Sequence, residues 1–92
     1  MGVLIVDHSF SDNGTNSFSN VPLSTDYMFF ATGSFGGGTL ALEASPDNGV
    51  TWFTVEKLTL PGRLIRYLVS GEKVRLNLCN SIGASIEAGL RQ

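Results

Sequence analysis

The sequence predicts an all-β fold, a small antiparallel β-sandwich of the jelly-roll or immunoglobulin-like kind with about eight short strands. Three observations predict it. The hydropathy period is two along most of the chain, the mark of half-buried strands. Turn-forming clusters recur at regular intervals, "SDNGTN", "VPLST", "GSFGGG", "SPDNG", "LPG", "SGE" and "NSIG". A chain of 92 residues has room for one small core, hiding about 60–65% of the surface its unfolded form exposes. Residues 1–92 are therefore expected to form a single sandwich domain, with 1–14 as an extended arm or an edge strand.

The strands follow in order. Val3–His8 carries a short apolar run that ends at Asp7, and Thr15–Asn20 lies between the first two turn clusters. In Tyr27–Thr32, Tyr27, Phe29 and Ala31 face one way and Met28 and Phe30 the other, so both faces are apolar. Gly38–Ala44 sets Leu40 and Leu42 against Ala41 and Glu43. Val50–Leu58 is rich in β-formers and includes Thr51 and Trp52. Arg63–Val69 places Ile65, Tyr67 and Val69 opposite Leu64, Arg66 and Leu68, the pattern of a strand covered on both sides, either central to a sandwich or half in an interface. Lys73–Cys79 alternates most clearly, with Val74, Leu76 and Leu78 on one face. In Ala84–Arg91 the pair Ile86 and Leu90 suits helix or strand, and strand is preferred because every earlier segment is one.

Composition narrows the function classes. Hydrophobic residues make up 42% and charged residues only 15%, which is too apolar for disorder and low in charge for a surface that all faces water. Contacts with other copies or partners would account for it, as would enrichment in Gly, Ser, Thr and Asn. Every Lys and Arg lies from Lys57 onward, whereas Asp7, Asp12, Asp26, Glu43, Asp47 and Glu56 all precede it. If folding does not average this asymmetry away, the molecule has a dipole suited to head-to-tail contacts. The net charge of −2 and scattered basic residues argue against nucleic-acid binding. No apolar run approaches the ~18 residues of a membrane span. "MGVLIVDHSF" lacks the basic region and cleavage site of a signal peptide, and Val6 stands where a myristoylation signal needs Ser or Thr. The sequon Asn13-Gly14-Thr15 is accordingly read as chance.

No residue set forms a catalytic, cofactor or metal site. Asp7, His8 and Ser9 are the residue types of a hydrolytic triad, but neighbours on a strand point to opposite faces. Cys79 is the sole cysteine, which excludes an internal disulfide and a thiolate zinc cage from this chain alone. Asp7 to Gly14 echoes a calcium loop without its closing acid. "GSFGGGT" lacks the Lys-Ser/Thr ending of a phosphate loop; Gly36, Gly37 and Gly38 more plainly supply a turn or let another backbone approach, and they mark an interface if that backbone belongs to another subunit. Most of the aromatic residues are expected in the small core.

The octapeptide "SPDNGVTW" fits a hairpin: Pro46 fixes φ, Asp47 can accept loop N–H groups, and Asn48-Gly49 tolerates left-handed conformations. Ser45, Asp47, Gly49, Thr51 and Trp52 resemble the Asp box, a turn-stabilising hairpin repeated in sialidases and related propellers; a propeller cannot fit in this length. The longer string "FGGGTLALEASPDNGVTWFTV", with "GEKVRLNL" and "ASIEAGL", resembles small structural proteins of tailed-bacteriophage virions, over about Phe35 to Leu90. That resemblance implies a non-enzymatic capsid decoration or cement protein without cofactor. It would reside in the virion after synthesis in the bacterial cytoplasm, bind a major capsid protein or other virion protein, and act as a homo-oligomer, a trimer being favoured. Val3, Leu4, Ile5 and Val6 are the expected contact segment, with Gly36 to Gly38. The alternative is a receptor- or carbohydrate-binding module of a phage tail or adhesin, which would expose aromatic residues near loop tips.

Overall fold

The computed structural model describes residues 4–92. Nine strands are present among them: β1 Leu4–Phe10, β2 Gly14–Thr15, β3 Ser19–Asn20, β4 Thr25–Ser34, β5 Thr39–Ser45, β6 Phe53–Leu58, β7 Gly62–Leu68, β8 Lys73–Cys79 and β9 Ser85–Arg91. One sheet has the order β1-β9-β4-β7; the other has β2-β8-β5-β6, with β3 also paired to β8, and all pairings are antiparallel. Only β2 to β3 and the β5–β6 hairpin stay within one sheet; every other connection crosses to the opposite one. This winding is a jelly roll, and it decides between the two sandwich types that the sequence left open.

Period-two patterning builds the core. Val74, Leu76 and Leu78 of β8 and Leu40 and Leu42 of β5 face Tyr27 and Phe29 of β4 and Ile86 and Leu90 of β9, all essentially removed from water. The final segment is a strand, with Ile86, Ala88 and Leu90 inward at even positions. Deleting one of these side chains, as in Leu42→Ala, removes transfer energy and leaves a void that neighbouring strands cannot fill, a cost of about 2–5 kcal/mol.

The structure departs from the sequence expectations at three elements. Thr15–Asn20 is not one strand. Asn16 turns its side chain to accept the Leu76 N–H at 2.7 Å, and pairing with β8 resumes only at Ser19. β6 starts at Phe53 rather than Val50, because Val50, Thr51 and Trp52 belong to the preceding loop. β7 is not covered on both sides. It is a sheet edge, and Ile65 and Tyr67, with Val69 just beyond it, are more than half exposed.

Polar ties fix the connections. The Tyr27 hydroxyl, buried at the root of β4, donates to the Leu23 carbonyl at 2.5 Å and accepts the Leu23 N–H at 3.3 Å. Asn13 clasps Ser81: its Oδ1 accepts the Ser81 N–H and hydroxyl at 2.9 and 2.8 Å, and its Nδ2 donates to the Ser81 carbonyl at 3.2 Å. Glu56 of β6 pairs with Arg66 of β7, closing one side of the sandwich.

Candidate functional site

The loop between β5 and β6 is organised by Ser45, whose residue is fully buried. Its hydroxyl accepts the Gly49 N–H at 2.8 Å and donates to Asp47 Oδ1 at 2.8 Å. The same carboxylate oxygen accepts the Thr51 N–H at 2.7 Å. The chain between reverses through Asn48 and Gly49, with φ of 63° and 93°, conformations that Asn and Gly adopt at low cost. The Thr51 N–H, helped by the Thr51 and Ser45 hydroxyls, holds the Asp47 carboxyl below the ordinary aspartate value. These bonds keep Thr51 out of the ladder and delay β6 to Phe53. Trp52 donates its indole N–H to the Gly49 carbonyl at 3.1 Å and so belongs to the loop as well.

Beside the loop lies a small aromatic cluster. The Arg75 guanidinium covers the Trp52 ring at 4.1 Å while its Nε donates to Glu43 Oε1 at 2.7 Å, and Phe18 packs near Trp52 with ring centroids 5.8 Å apart. The arrangement stiffens the outer face of the second sheet. Arg75 thereby occupies one face of the Trp52 ring.

The glycines of "GSFGGGT" are explained within one copy. A Cβ at Gly36 would overlap the Ile82 carbonyl oxygen, and one at Gly38 would lie 2.6 Å from Ser81 Cβ; the Ile82 N–H donates to the Gly36 carbonyl at 3.0 Å. The backbone that approaches them is thus the chain's own. Gly37 has open space beside it. Of the expected contact segment at the start of the chain, Val3 lies outside the described residues. Val6 is in the core, which removes it from any interface, whereas Leu4 is half exposed and Ile5 partly buried.

Aromatic residues divide differently from the expectation that most would serve the core. Phe10, Tyr27, Phe29 and Phe35 are buried, but Phe18, Phe53 and Tyr67 are at least half exposed. A small sandwich has two inner faces only, and β6 and β7 are the edges of their sheets, so aromatic residues there have nothing to pack beneath. His8 sets its ring edge against Phe10 at 4.5 Å, while Asp7 and Ser9 lie on the outer face of β1. Among the described residues no three of His, Cys, Asp and Glu gather as a metal site, and no pocket is present. Glu56 is held below the ordinary glutamate value by the Lys57 N–H first and Arg66 second.

The surface feature that stands out is the side of the sandwich formed by β6, β7 and their connection. Leu60, 72% exposed, leads into β7, where Ile65 and Tyr67 are each 61% exposed. Lys57, Arg63 and Arg66 are the exposed charges among them, Arg66 in its ion pair with Glu56. Alternation made Ile65, Tyr67 and Val69 visible in the sequence. Whether a neighbouring layer covers them depends on strand order, which alternation does not encode.

No known family model matches the chain, and no curated protein matches it in sequence. Solved structures do resemble it. The C-terminal domain of A223, a structural protein from Sulfolobus turreted icosahedral virus, superposes with a TM-score of 0.70 over 100% of this chain and 98% of that domain, at 14% identity. A pentameric capsid protein isolated from metagenomic phage sequences superposes with a TM-score of 0.50 over 97% of this chain and 65% of that protein, at 15% identity. At such identities the likeness establishes the shared fold.

Proposed function

We propose that the chain is a structural protein of a virus particle that binds an assembled capsid and stabilises it as an oligomer. The observation that carries this reading is the apolar side at β6 and β7, on a jelly roll with no pocket among the described residues. A surface of that kind suits contact with other protein surfaces. Two further points support it: the likeness of this whole chain to the C-terminal domain of a structural protein of an icosahedral virus, and the resemblance of Phe35 to Leu90 to phage virion proteins. The mechanism is additive. Each copy buries a modest apolar area against its neighbours and the shell, and many copies together resist expansion of the particle.

The resemblance implies a trimer, whereas the second structural neighbour is described as pentameric. Native mass spectrometry separates the two. Co-sedimentation with shells assembled from the major capsid protein of the same genome tests the role itself. Saturable binding at a fixed ratio to shell subunits, with a raised shell dissociation temperature, is the expected result; a chain that stays in the supernatant at every concentration overturns the reading.

A further inference from the structure

The outer face of the first sheet consists of lateral rows whose two ends complement each other. One row runs Asp7, Gly89, Phe30, Arg63 across β1, β9, β4 and β7; the next runs Leu4, Arg91, Met28, Ile65. The first has an acid at the β1 edge and a base at the β7 edge. The second has an exposed apolar side chain at each edge. A register shift between Leu4 and Val6 is what brings Leu4 and Asp7 to the same face, since three positions apart on a regular strand would put them on opposite faces. Among the described residues both β1 and β7 have one unpaired edge, and β1 runs antiparallel to β7.

We infer that β7 of one copy docks on β1 of a second copy, continuing the sheet head to tail. Antiparallel pairing is retained across the seam, Arg63 comes beside Asp7 of the next copy, and Ile65 comes beside its Leu4. Directly opposed side chains on such a pair lie about 4.5–5.5 Å apart, within reach of both contacts. Pairing like with like is disfavoured by charge. A β7 to β7 seam would gather two copies each of Arg63 and exposed Lys57, with Glu56 already engaged by Arg66; a β1 to β1 seam would gather two copies of Asp7. Heterologous contacts close into rings when the rotation permits and otherwise extend, so a closed ring gives a single discrete size. The inference deepens the proposed oligomeric role and rests on it for its purpose, but its contacts concern the free chain alone.

Sedimentation velocity of the purified chain, without shells, tests it. Asp7 and Arg63 make no hydrogen bond or ion pair among the described residues, so reversing either leaves the fold intact by circular dichroism. Wild type is expected to sediment as a discrete oligomer. Asp7→Arg alone and Arg63→Asp alone should each lose it, and the double variant Asp7→Arg/Arg63→Asp should regain it, because every seam then joins opposite charges again whatever the number of copies in the ring. Ile65→Ser, at an exposed position, should weaken association about tenfold or more. A monomeric wild type, an oligomer unaffected by Asp7→Arg, or a double variant that stays monomeric overturns the inference. An oligomer that ignores shells would instead overturn the capsid role and leave this seam standing.

Discussion

Ser45 and Asp47 show how a polar pair can set where a strand begins. The Ser45 hydroxyl is enclosed and serves both the Gly49 N–H and the Asp47 carboxylate. Ser45→Ala removes the acceptor of a shielded N–H and should lower stability by about 1–3 kcal/mol, read from urea unfolding. Asp47 contributes through its depressed pKa. Its stabilisation is present above the ordinary aspartate value of about 3.9 and disappears as pH falls through the lower folded value. The melting temperature of wild type should therefore drop relative to Asp47→Asn as pH falls below about 4, and parallel curves would show that Asp47 does not hold the loop. Much of this was legible locally, since Asp47 and the Asn48-Gly49 pair carry turn chemistry in their side chains. The burial of Ser45 was not, and neither was the Arg75 cover on Trp52. Both depend on β8, whose place beside β5 is a matter of topology.

Strands and turns were legible to the extent that their signals are local. β8 and β9 follow from alternation, because each has one face on the core. β2 and β3 did not, since Asn16 gives its side chain to β8 where the spacing of the turn clusters suggests an unbroken strand. At the turn from β4 to β5 the reason for glycine differs by position. Gly36 and Gly37 both have positive φ, 57° and 77°, which costs an alanine roughly 1–2 kcal/mol. Only at Gly36 does a methyl group also overlap the Ile82 carbonyl. Gly36→Ala is therefore expected to lower the melting temperature clearly more than Gly37→Ala, and equal losses in calorimetry would remove the close approach as the cause. Tyr27→Phe at the base of β4 leaves the Leu23 carbonyl without its donor and should cost about 1–2 kcal/mol in the same assay.

The charge asymmetry along the chain finds its meaning only in the assembled sandwich. Winding pairs two acids of the first part with two bases of the last, Glu43 with Arg75 and Glu56 with Arg66. Among the charges outside those pairs, Asp7 and Arg63 sit at opposite edges of one sheet, in a row that a neighbouring copy can continue. Rising salt should accordingly weaken self-association, because the rim charges lie in water and their screening length shrinks from about 10 Å at about 0.1 M salt to about 3 Å at about 1 M; affinity unchanged from about 0.1 to about 1 M salt would mean that the seam is apolar only. Sequence patterning placed this chain among sandwiches but could not choose between jelly roll and immunoglobulin order, because strand neighbours separated by dozens of residues leave no local trace. The most direct measurement is cryo-electron microscopy of capsid shells assembled from the major capsid protein of the same genome and saturated with this chain. The account predicts jelly-roll density at symmetry-related positions on the shell, with β7 of each copy against β1 of the next; bare shells at saturating protein would contradict it.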